Sequence, residues 1–431
     1  MVNSSILILF GSALVAICAV LSALGFRGRV NTVGIDLGTT YSVIAVSDTG
    51  FMKRKKKKNA AERYMPSARV IYDENGEALT PSMVAFLENG KTEVGWSALN
   101  LLDSQATDAR YVIRDAKRFI GRAFDDASVA PQAEEYSYQV IPNGTCAAFQ
   151  IDPTRGHGAS VTPERVGELV VRRLLQSAQR DLGHTGITTA VIAVPAGFGP
   201  NQTRATADAF KAAGLKIARI LPEPVAAAVA YGLQRRPDVK HVLVYDFGGG
   251  TLDVSVLYVR DGSVEVVANH GDNDLGGSDF DHCIAHALAT DLNKTEPITT
   301  DAQKQIPPCA PHVLLRYAED AKIALTDTER VVTPPCRRLT DDKPVSTTIL
   351  RSYFESQLCG HLFQRAISVV HSTLKESMIR LDDIDEVVLV GGTSRIPKVR
   401  SDIKAALNIK RLNTDIDPDV TVAVGAASVL D

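Results

Sequence analysis

The stretch HVLVYDFGGGTLDVSVL, residues His241–Leu257, places three consecutive glycines between two runs rich in β-branched and aromatic residues. Such runs on either side of a Gly-rich turn are typical of a β-hairpin. An earlier stretch, TVGIDLGTTYSVIAV at Thr32–Val46, has the same form and also places an aspartate beside a Gly/Thr turn. Because the two units lie far apart in the chain, their repetition predicts two lobes of related design and not a short-period solenoid.

Between the two hairpins the chain alternates helix and strand patterns. Thr162 and Pro163 supply an N-cap and an N1 proline for an amphipathic helix that Gly183 would end. A strand, a helix, a second strand and a second helix follow, at residues 190–196, 202–213, 216–221 and 224–231. This β-α-β-α order predicts the α/β fold class.

A third glycine-containing element, EVVLVGGTSRIPKV, occupies Glu386–Val399. It has the pattern of a buried strand that breaks at Gly391 and Gly392, with Thr393 or Ser394 as the cap of the next helix. The chain contains no G-x-x-x-x-G-K-[ST] string and no G-x-G-x-x-G string. Walker-type and Rossmann-type phosphate sites are therefore excluded.

Composition bounds the class of protein further. The chain has 431 residues, of which 45% are hydrophobic and 23% charged, enough apolar material for two or three packed units. The 47 basic and 50 acidic residues give a formal net charge of −3, so the chain lacks the overall basic charge of a nucleic-acid-binding protein. We therefore do not expect nucleic acid as a partner.

Six cysteines are too few for a disulfide scaffold, and none forms a C-x-x-C pair. Zinc binding and thiol-redox chemistry have no spacing to support them. We expect the cysteines outside the N-terminal apolar stretch to be buried structural thiols: Cys146, Cys283, Cys309, Cys336 and Cys359.

Residues 6–26, ILILFGSALVAICAVLSALGF, carry no charge. As a helix this segment would reach about 30 Å, close to the hydrocarbon thickness of a bilayer. It predicts membrane association through a signal anchor or, with the small-residue pattern Ala23-Leu24-Gly25, a cleaved signal peptide within residues 1–30. Association with an endomembrane follows as the expectation.

The sequence contains signals for both the lumenal and the cytosolic side of the membrane. Asn143, Asn201 and Asn293 begin N-x-Thr acceptor tripeptides that are used only in the secretory lumen. Basic residues after the apolar segment, including the run Lys53–Lys58, favour a cytosolic body by the positive-inside rule. We expect the lumenal side, and interpret residues 51–69 as an inserted solvated loop, with anionic lipid or an acidic partner as the alternative for its lysines.

The Gly/Thr turns suggest the chemistry. Backbone N–H groups that no side chain covers form concavities suited to phosphate oxygens. Asp36 and Asp246 lie beside the two turns, and Asp253 lies on the returning strand of the second hairpin. Carboxylates and phosphates repel each other unless a divalent cation lies between them, and Mg²⁺ satisfies that need with one or two carboxylates. The two hairpins therefore predict a clamp on a triphosphate and its metal ion.

Three stretches closely resemble the signature stretches of the 70-kDa heat-shock chaperones: GIDLGTTYS (Gly34–Ser42), YDFGGGTLDVS (Tyr245–Ser255) and VVLVGGTSRIPKV (Val387–Val399). DAKRFIGR, EPVAAAVAYG and DLGGSDFD extend the resemblance, which covers the chain from Thr32 to its last residue. The resemblance implies an actin-like, two-lobed ATPase of the ribonuclease-H-like repeat type. It also implies ATP or ADP in the central cleft, Mg²⁺, and K⁺ as a further ion.

Residue roles follow from the same resemblance. Lys117 would place the attacking water and balance γ-phosphate charge, and Glu223, Asp246 and Thr251 would complete the catalytic group. The metal would be held by Asp36, Asp246 and Asp253. The phosphate loops would be formed by Asp36, Gly38, Thr39, Thr40 and Tyr41, and by Gly248, Gly249, Gly250 and Thr251. The adenosine pocket would be formed by Glu319, Lys322, Thr326, Gly391, Gly392, Ser394, Arg395 and Asp419, with Arg395 stacking on the base.

Two departures from the family pattern leave alternatives open. Ile323 replaces a second arginine that usually stacks on adenine, and the segment Gly197–Arg204 differs from the usual VPAYFND stretch and the arginine after it. These changes motivate the hypothesis of a nucleotide-binding scaffold that hydrolyses little. The fold alone would also allow a small-molecule kinase, such as a sugar kinase.

The resemblance also implies a domain layout. We expect lobe I at residues 31–235, lobe II at 236–412, and a return to lobe I at 413–431. Because the sequence ends where family members continue into a peptide-binding domain, the expectation is an ATPase core without that domain, like a microsome-associated branch of the family. The branch implies slow, peptide-independent ATP hydrolysis that supports protein folding together with chaperone partners. It also implies a location at endoplasmic-reticulum or microsomal membranes.

Overall fold

The computed structural model describes residues 11–13, 15–17, 20, 30–47, 67–104, 107–134, 136–292, 297 and 306–429. The lysine run and Asn293, for which expectations are stated above, lie outside these residues, as do Cys18 and most of the apolar segment 6–26. None of the helices in the described ranges has both the length and the apolar character needed to cross a bilayer.

Strands and helices alternate along the described chain. The strands are β1 Thr32–Asp36, β2 Tyr41–Ser47, β3 Ala68–Val70, β4 Thr80–Pro81, β5 Val84–Phe86, β6 Thr92–Val94, β7 Val112–Ile113, β8 Val140–Asn143, β9 Cys146–Gln150, β10 Ser160–Val161, β11 Thr189–Val194, β12 Lys216–Pro222, β13 His241–Phe247, β14 Leu252–Arg260, β15 Ser263–Asp272, β16 Arg330–Val332, β17 Cys336–Arg337, β18 Pro344–Val345, β19 Thr348–Leu350 and β20 Glu386–Val390. The helices are α1 Trp96–Asp103, α2 Val129–Ala133, α3 Pro163–Leu182, α4 Pro200–Ala212, α5 Glu223–Ala230, α6 Gly277–Asp291, α7 Pro311–Asp327, α8 Arg351–Tyr353, α9 Gly360–Ser377, α10 Pro397–Ala406 and α11 Thr421–Ser428.

Two central sheets repeat one local design. In the first, with strand order β12-β11-β1-β2-β3 and β4 beside β2, β1 pairs antiparallel with β2 and parallel with β11. In the second, with order β15-β14-β13-β20, β13 pairs antiparallel with β14 and parallel with β20. The two hairpins predicted from the sequence are therefore present, each as the centre of a sheet. The α/β fold with two lobes is confirmed, whereas the expected lobe boundaries stay a prediction.

Helix ends test the capping predictions. The Thr162 hydroxyl accepts a hydrogen bond from the Arg165 N–H at 3.2 Å, and Gly183 has φ +70° at the other end of α3, as predicted. The expectation that Thr393 or Ser394 caps the helix after Gly392 is wrong. Helix α10 begins after Ile396 without a side-chain cap, because the two hydroxyls donate instead to backbone carbonyls near the cleft.

In the part of the chain that the structure describes, the three largest apolar cores lie one in each lobe and one between the two central sheets. The third core consists mainly of valine and alanine, including Ala226 and Val244, with α5 and α11 packed close together. Close packing here requires glycine. A Cβ on Gly425 would lie 1.8 Å from the Ala226 carbonyl oxygen, and one on Gly34 would lie 2.2 Å from the Ala427 nitrogen. Small residues thus let α11 pack between the first sheet and α5, and α5 in turn contacts both central sheets.

The expectation of buried free thiols is wrong for four cysteines. Cys283 forms a disulfide with Cys359, and Cys309 forms one with Cys336. It is also wrong for Cys146, which is a free thiol but exposed. The pairs are separated by 76 and 27 residues in sequence, so no local spacing indicated them. They meet only because the helices and strands of lobe II pack together.

The contact between α5 and α11 gives a stability prediction. Gly425→Ala should lower the free energy of unfolding by about 1–3 kcal/mol, because the added methyl group overlaps a backbone carbonyl. Helix propensity alone predicts the opposite sign, a gain of about 1 kcal/mol. Chemical denaturation checks this, with Gly186→Ala as the control, since a Cβ there meets only a side-chain atom at 3.4 Å. A more stable Gly425→Ala variant would contradict the packing described here.

Candidate functional site

A cavity of about 840 Å³ lies where the turns of the two central hairpins face each other. Its lining comes from both lobes, and its volume is in the range of ligand pockets. The structure brings all but one of the predicted site residues to this cavity: Asp36, Gly38, Thr39, Thr40, Tyr41, Lys117, Glu223, Asp246, Gly248, Gly249, Gly250, Thr251, Asp253, Glu319, Lys322, Thr326, Gly391, Gly392, Arg395 and Asp419. Ser394 is the exception. It is fully buried, and its hydroxyl donates to the Gly391 carbonyl at 2.7 Å.

The first turn follows β1 and is stabilised by hydrogen bonds of two serines. The Ser82 hydroxyl donates to the Gly38 carbonyl at 2.8 Å and lies 2.8 Å from the Ser42 hydroxyl. Gly38 is required by the tightness of the turn, since a Cβ there would lie 2.0 Å from the Tyr41 carbonyl oxygen. The buried Oγ1 atom of Thr40 has no hydrogen-bond partner among the residues that the structure describes.

The second turn, between β13 and β14, meets the first at close range. Its Gly248 N–H donates to the Thr251 carbonyl at 3.0 Å, which closes the turn. A Cβ on Gly249 would lie 2.2 Å from Thr40 Oγ1. Glycine at this position therefore lets the two turns approach each other, and their backbones face a common space.

Below the turns lies a buried cluster of one ammonium group and four carboxylates. Lys117 Nζ donates to Glu223 Oε1 at 2.7 Å, and the two side chains are 11% and 10% exposed. Glu223 reaches this place because it begins α5, directly after Pro222. Burial opposes the positive charge of Lys117, but Glu223 and Asp36 outweigh that effect, so its pKa is raised. Lys117 is therefore a fixed cation.

Lys117 does not neutralise the other three carboxylates of the cluster, those of Asp36, Asp246 and Asp253. Burial, followed by the negative charge of Glu223, raises the pKa of Asp36 to about 7 and that of Asp253 to about 6. The same two causes raise the pKa of Asp246 well above its usual range. Asp36 Oδ1 is also buried, and it has no hydrogen-bond partner within the described part of the chain. The cluster thus has an excess of acidic groups that an added cation would relieve.

This cluster fits Mg²⁺ bound together with phosphates. Among the described residues, no three His, Cys, Asp or Glu side chains lie close enough to hold a metal ion by themselves. Mg²⁺ characteristically keeps several waters and binds through one or two carboxylates plus phosphate oxygens. The unpartnered Asp36 oxygen and the shared space between the turns meet that requirement. The three-carboxylate set Asp36, Asp246 and Asp253 stays a prediction.

The far end of the cavity is lined by α7 and by the segment after β20. Lys322 Nζ, on α7, donates to the Gly277 carbonyl at 3.0 Å and lies 2.8 Å from the Asp281 carboxylate. Ile323 on the same helix is 59% exposed at the cavity. An apolar side chain is therefore presented where the family pattern has a guanidinium.

Arg395 is held by acidic neighbours. Its Nε donates to Asp419 Oδ2 at 3.1 Å, and its Nη2 pairs with both Asp417 and Asp419. Gly392 allows this arrangement, because a Cβ there would lie 2.8 Å from Asp419 Oδ1. The guanidinium plane is thus fixed at the edge of the cavity, and Asp419 lines the same edge.

Sequence reasoning missed several residues of the site. Arg118 donates to the Gly250 carbonyl at 2.6 Å and to the Asn273 carbonyl at 2.5 Å, across the cleft from its own lobe. Phe198 places its ring 5.9 Å from Lys117 Nζ. Arg118 and Asp281 lie in the stretches DAKRFIGR and DLGGSDFD, so those motifs could have indicated them. Phe198 lies in the segment Gly197–Arg204, which the sequence marked as a departure from the family pattern without indicating a contact with Lys117.

The fold and the cavity define an actin-like, two-lobed nucleotide-binding domain of mixed α/β structure. The Hsp70 protein family model matches residues 32–430, and the chain belongs to the Hsp70 family. Members of this family are ATPases whose ATPase domains bind ATP or ADP with Mg²⁺ and work with co-chaperones. This membership agrees with the resemblance of the signature stretches and gives the cavity its ligand class.

The acidic cluster gives a prediction for the nucleotide-free and metal-free protein. Because the pKa of Asp36 is about 7 in the fold and about 4 in an unfolded chain, the fold binds the proton more tightly. Stability from this group is therefore lost as pH rises from about 4 to 7. Asp36→Asn stays neutral and should melt higher than wild type at pH 8, by roughly 2–4 °C, but not at pH 4.5.

Thermal melts in EDTA at the two pH values measure this difference. Asp382→Asn, at an exposed position outside the cavity, is the control and should shift the melting temperature equally at both. If Asp36→Asn also gives the same shift at pH 4.5 and pH 8, the proposed burial of excess negative charge is wrong.

Proposed function

We propose that the chain is a Mg²⁺-dependent ATPase that hydrolyses ATP slowly in this cleft. The observation that carries the proposal is the buried Lys117–Glu223 ion pair beside Asp36 and Asp246, directly under two glycine turns from opposite lobes. Phosphoryl transfer needs mainly positioning and neutralisation of charge, and this arrangement can supply both. Bound Mg²⁺ would supply further neutralisation of the phosphate charge.

In this proposal each group of the cluster has a distinct task. Lys117 holds its proton, places a positive charge toward the terminal phosphate and fixes the attacking water by hydrogen bonding. Glu223 holds Lys117 in position and accepts a hydrogen bond from water. Asp246 accepts a second hydrogen bond. The Thr251 hydroxyl restrains Asp253 by a hydrogen bond that opposes the rise in its pKa.

Asp36 and Asp253 complete the acidic group that would face the Mg²⁺ ion and its waters. The turn Gly38–Tyr41 and the turn Gly248–Thr251 would bind the phosphate oxygens through backbone N–H groups, as concave glycine turns do. Glu319, Lys322 and Thr326 would contact the adenosine, with Arg395 on the opposite edge. K⁺ remains a further candidate ion.

A scaffold that binds nucleotide with little hydrolysis is the second candidate. The exposed Ile323 supports it, because an aliphatic side chain cannot reproduce the cation–π stacking of a guanidinium on adenine. Membership of the Hsp70 family supports an ATPase over the small-molecule kinase alternative. Rates of ATP turnover therefore decide between the two candidates that remain.

We propose further that the chain resembles the microsome-associated, ATPase-only branch of the family in function. Hydrolysis would then be unaffected by added peptide and would serve other proteins of the chaperone network. The resemblance of the motifs, the apolar segment 6–26 and the basic run Lys53–Lys58 support this assignment. Steady-state turnover of the 431-residue chain with and without an extended apolar peptide tests it.

We also propose that the lobes lie in the lumen of the endoplasmic reticulum, attached through residues 6–26. Two disulfides support this location, because disulfides persist in oxidising compartments and are rare in the cytosol. The acceptor Asn143 supports it too, since it is exposed at the tip of the β8–β9 hairpin, beside Gly144 with φ +62°. The basic residues after the apolar segment argue for the other side.

Substitution of the buried lysine tests hydrolysis. Lys117→Ala should slow single-turnover hydrolysis of bound ATP on the order of 10²–10³-fold, the loss typical of removing one preorganised charge-stabilising group. Lys211→Ala, which removes an exposed ion pair with Asp208, is the matched control and should retain the wild-type rate. Equal, near-background rates in wild type and Lys117→Ala would favour the scaffold.

Glycosylation tests the location. In cells with a secretory pathway, endoglycosidase treatment should increase the gel mobility of the wild-type chain, and Asn143→Gln should remove most of that shift. Asn201→Gln is the comparison, because Asn201 lies in the first turn of α4, where its Oδ1 accepts a hydrogen bond from Arg204. A wild-type chain that shows no shift and is cut by protease added outside intact microsomes would place the lobes in the cytosol.

A further inference from the structure

Helix α6 connects the glycine turn of lobe II to the adenosine end of the cavity. At its start, the Gly277 N–H donates to the Gly248 carbonyl at 3.0 Å and the Ser278 N–H donates to the Gly249 carbonyl at 2.8 Å. One turn later, Asp281 contacts Lys322 of α7 at 2.8 Å. The position of α6 therefore determines the positions of both the second turn and Lys322.

The same helix is tied covalently to the rest of lobe II. Cys283, two residues after Asp281, forms the disulfide with Cys359. Cys359 lies between a π-helical turn, Phe354–Leu358, and the start of α9. Phe280 adds an apolar contact to this junction, with its ring centroid 6.0 Å from that of Phe354. The disulfide thus joins the pocket helix to an irregular backbone segment outside the pocket.

The two disulfides differ in their access to solvent. Cys283 is only partly buried, whereas Cys359 is fully buried. Cys309 and Cys336 are both buried, with 2% and 3% exposure. Cys283–Cys359 is therefore the more exposed of the two disulfides, and we expect a thiol in solution to reduce it first.

We propose that the Cys283–Cys359 disulfide is a positioning element of the nucleotide pocket, and that its reduction weakens the binding of adenine nucleotides. This inference rests on the proposed nucleotide binding in the cleft. Without the covalent tie, α6 is held at this point only by non-covalent contacts. Asp281, the Gly277 N–H and the Ser278 N–H then keep their positions for a smaller fraction of the time.

The reduction is an ordinary thiol–disulfide exchange. A thiolate of a small thiol such as glutathione attacks the Cys283 sulfur, the S–S bond breaks, and Cys359 leaves as a thiolate that takes up a proton. A second glutathione thiolate then attacks the glutathione sulfur of the mixed disulfide. Cys283 leaves as a thiolate and takes up a proton. Two protein thiols and one glutathione disulfide result from one protein disulfide and two thiols, with two electrons transferred to the protein.

Reduction is expected to change affinity and not the chemical step. Lys117, Glu223 and Asp36 belong to the other lobe, and Asp246 and Asp253 lie on β13 and β14, so the charged groups of the cluster are all outside α6. Reduction should therefore raise the dissociation constant for ATP roughly tenfold, a typical size of coupling between two sites. The single-turnover rate at saturating ATP should stay near the oxidised value, and oxidised glutathione should restore the affinity.

Calorimetry with ATP and Mg²⁺ on the purified 431-residue chain measures the dissociation constant before and after mild reduction. Alkylation with mass spectrometry identifies which cysteines have opened. The double variant Cys283→Ser/Cys359→Ala should bind like the reduced wild type and be insensitive to reductant. Cys146→Ser, which removes the exposed free thiol, is the matched control and should keep the full redox response.

The outcomes separate the inference from the proposed function. Equal dissociation constants with the Cys283–Cys359 bond closed and open would overturn the inference and leave nucleotide binding intact. A loss of affinity together with the saturating rate and the circular dichroism signal would also overturn it, since that is unfolding. If the oxidised chain binds no adenine nucleotide with or without Mg²⁺, the proposed function itself is wrong. Should the double variant not fold, reduction and reoxidation of wild type give the same decision.

Discussion

The geometry of the cleft depends on the approach of two glycine turns that come from different sheets. Thr40 and Gly249 face each other so closely that a single methyl group at Gly249 would overlap the threonine hydroxyl. Each turn is held by hydrogen bonds to its own lobe. Ser82 binds the first turn, and the start of α6 binds the second. The width of the phosphate-binding space is therefore set by how the lobes pack together.

The packing of the lobes also brings several carboxylates together in the cleft, where they do not stabilise the fold. Asp36 and Asp246 lie at or near the end of the first strand of each hairpin, so the repeated design brings two carboxylates to the same place. Glu223 adds a third, and Lys117 neutralises only part of the total. Burial of unpaired carboxylates lowers stability and is a common property of binding sites, where the ligand restores the balance. The cluster is thus better suited to the complex than to the empty protein.

Much of this arrangement could be predicted from the sequence because it is local. The alternation around each Gly-rich turn indicated both hairpins, and Thr162 with Gly183 indicated the ends of α3, since capping and turn chemistry depend on neighbouring residues. Most of the predictions that failed depend on residues distant in the chain. Thr393 looks like a helix cap, but its hydroxyl donates to the carbonyl of Gly248 on the other glycine turn. Ser394 is a local exception, since its hydroxyl donates to the nearby Gly391 carbonyl.

The cysteines show the same limit, since only the packing of α6 against the junction before α9 brings Cys283 to Cys359. Arg118 shows it for the site. It lies beside Lys117 in sequence, yet its guanidinium crosses to the Gly250 and Asn273 carbonyls of the opposite lobe. Any separation of the lobes must break these two charge-assisted hydrogen bonds, and Gly250 belongs to the turn that would hold phosphate. Lobe movement and the shape of the phosphate site are therefore coupled through one side chain next to the buried lysine.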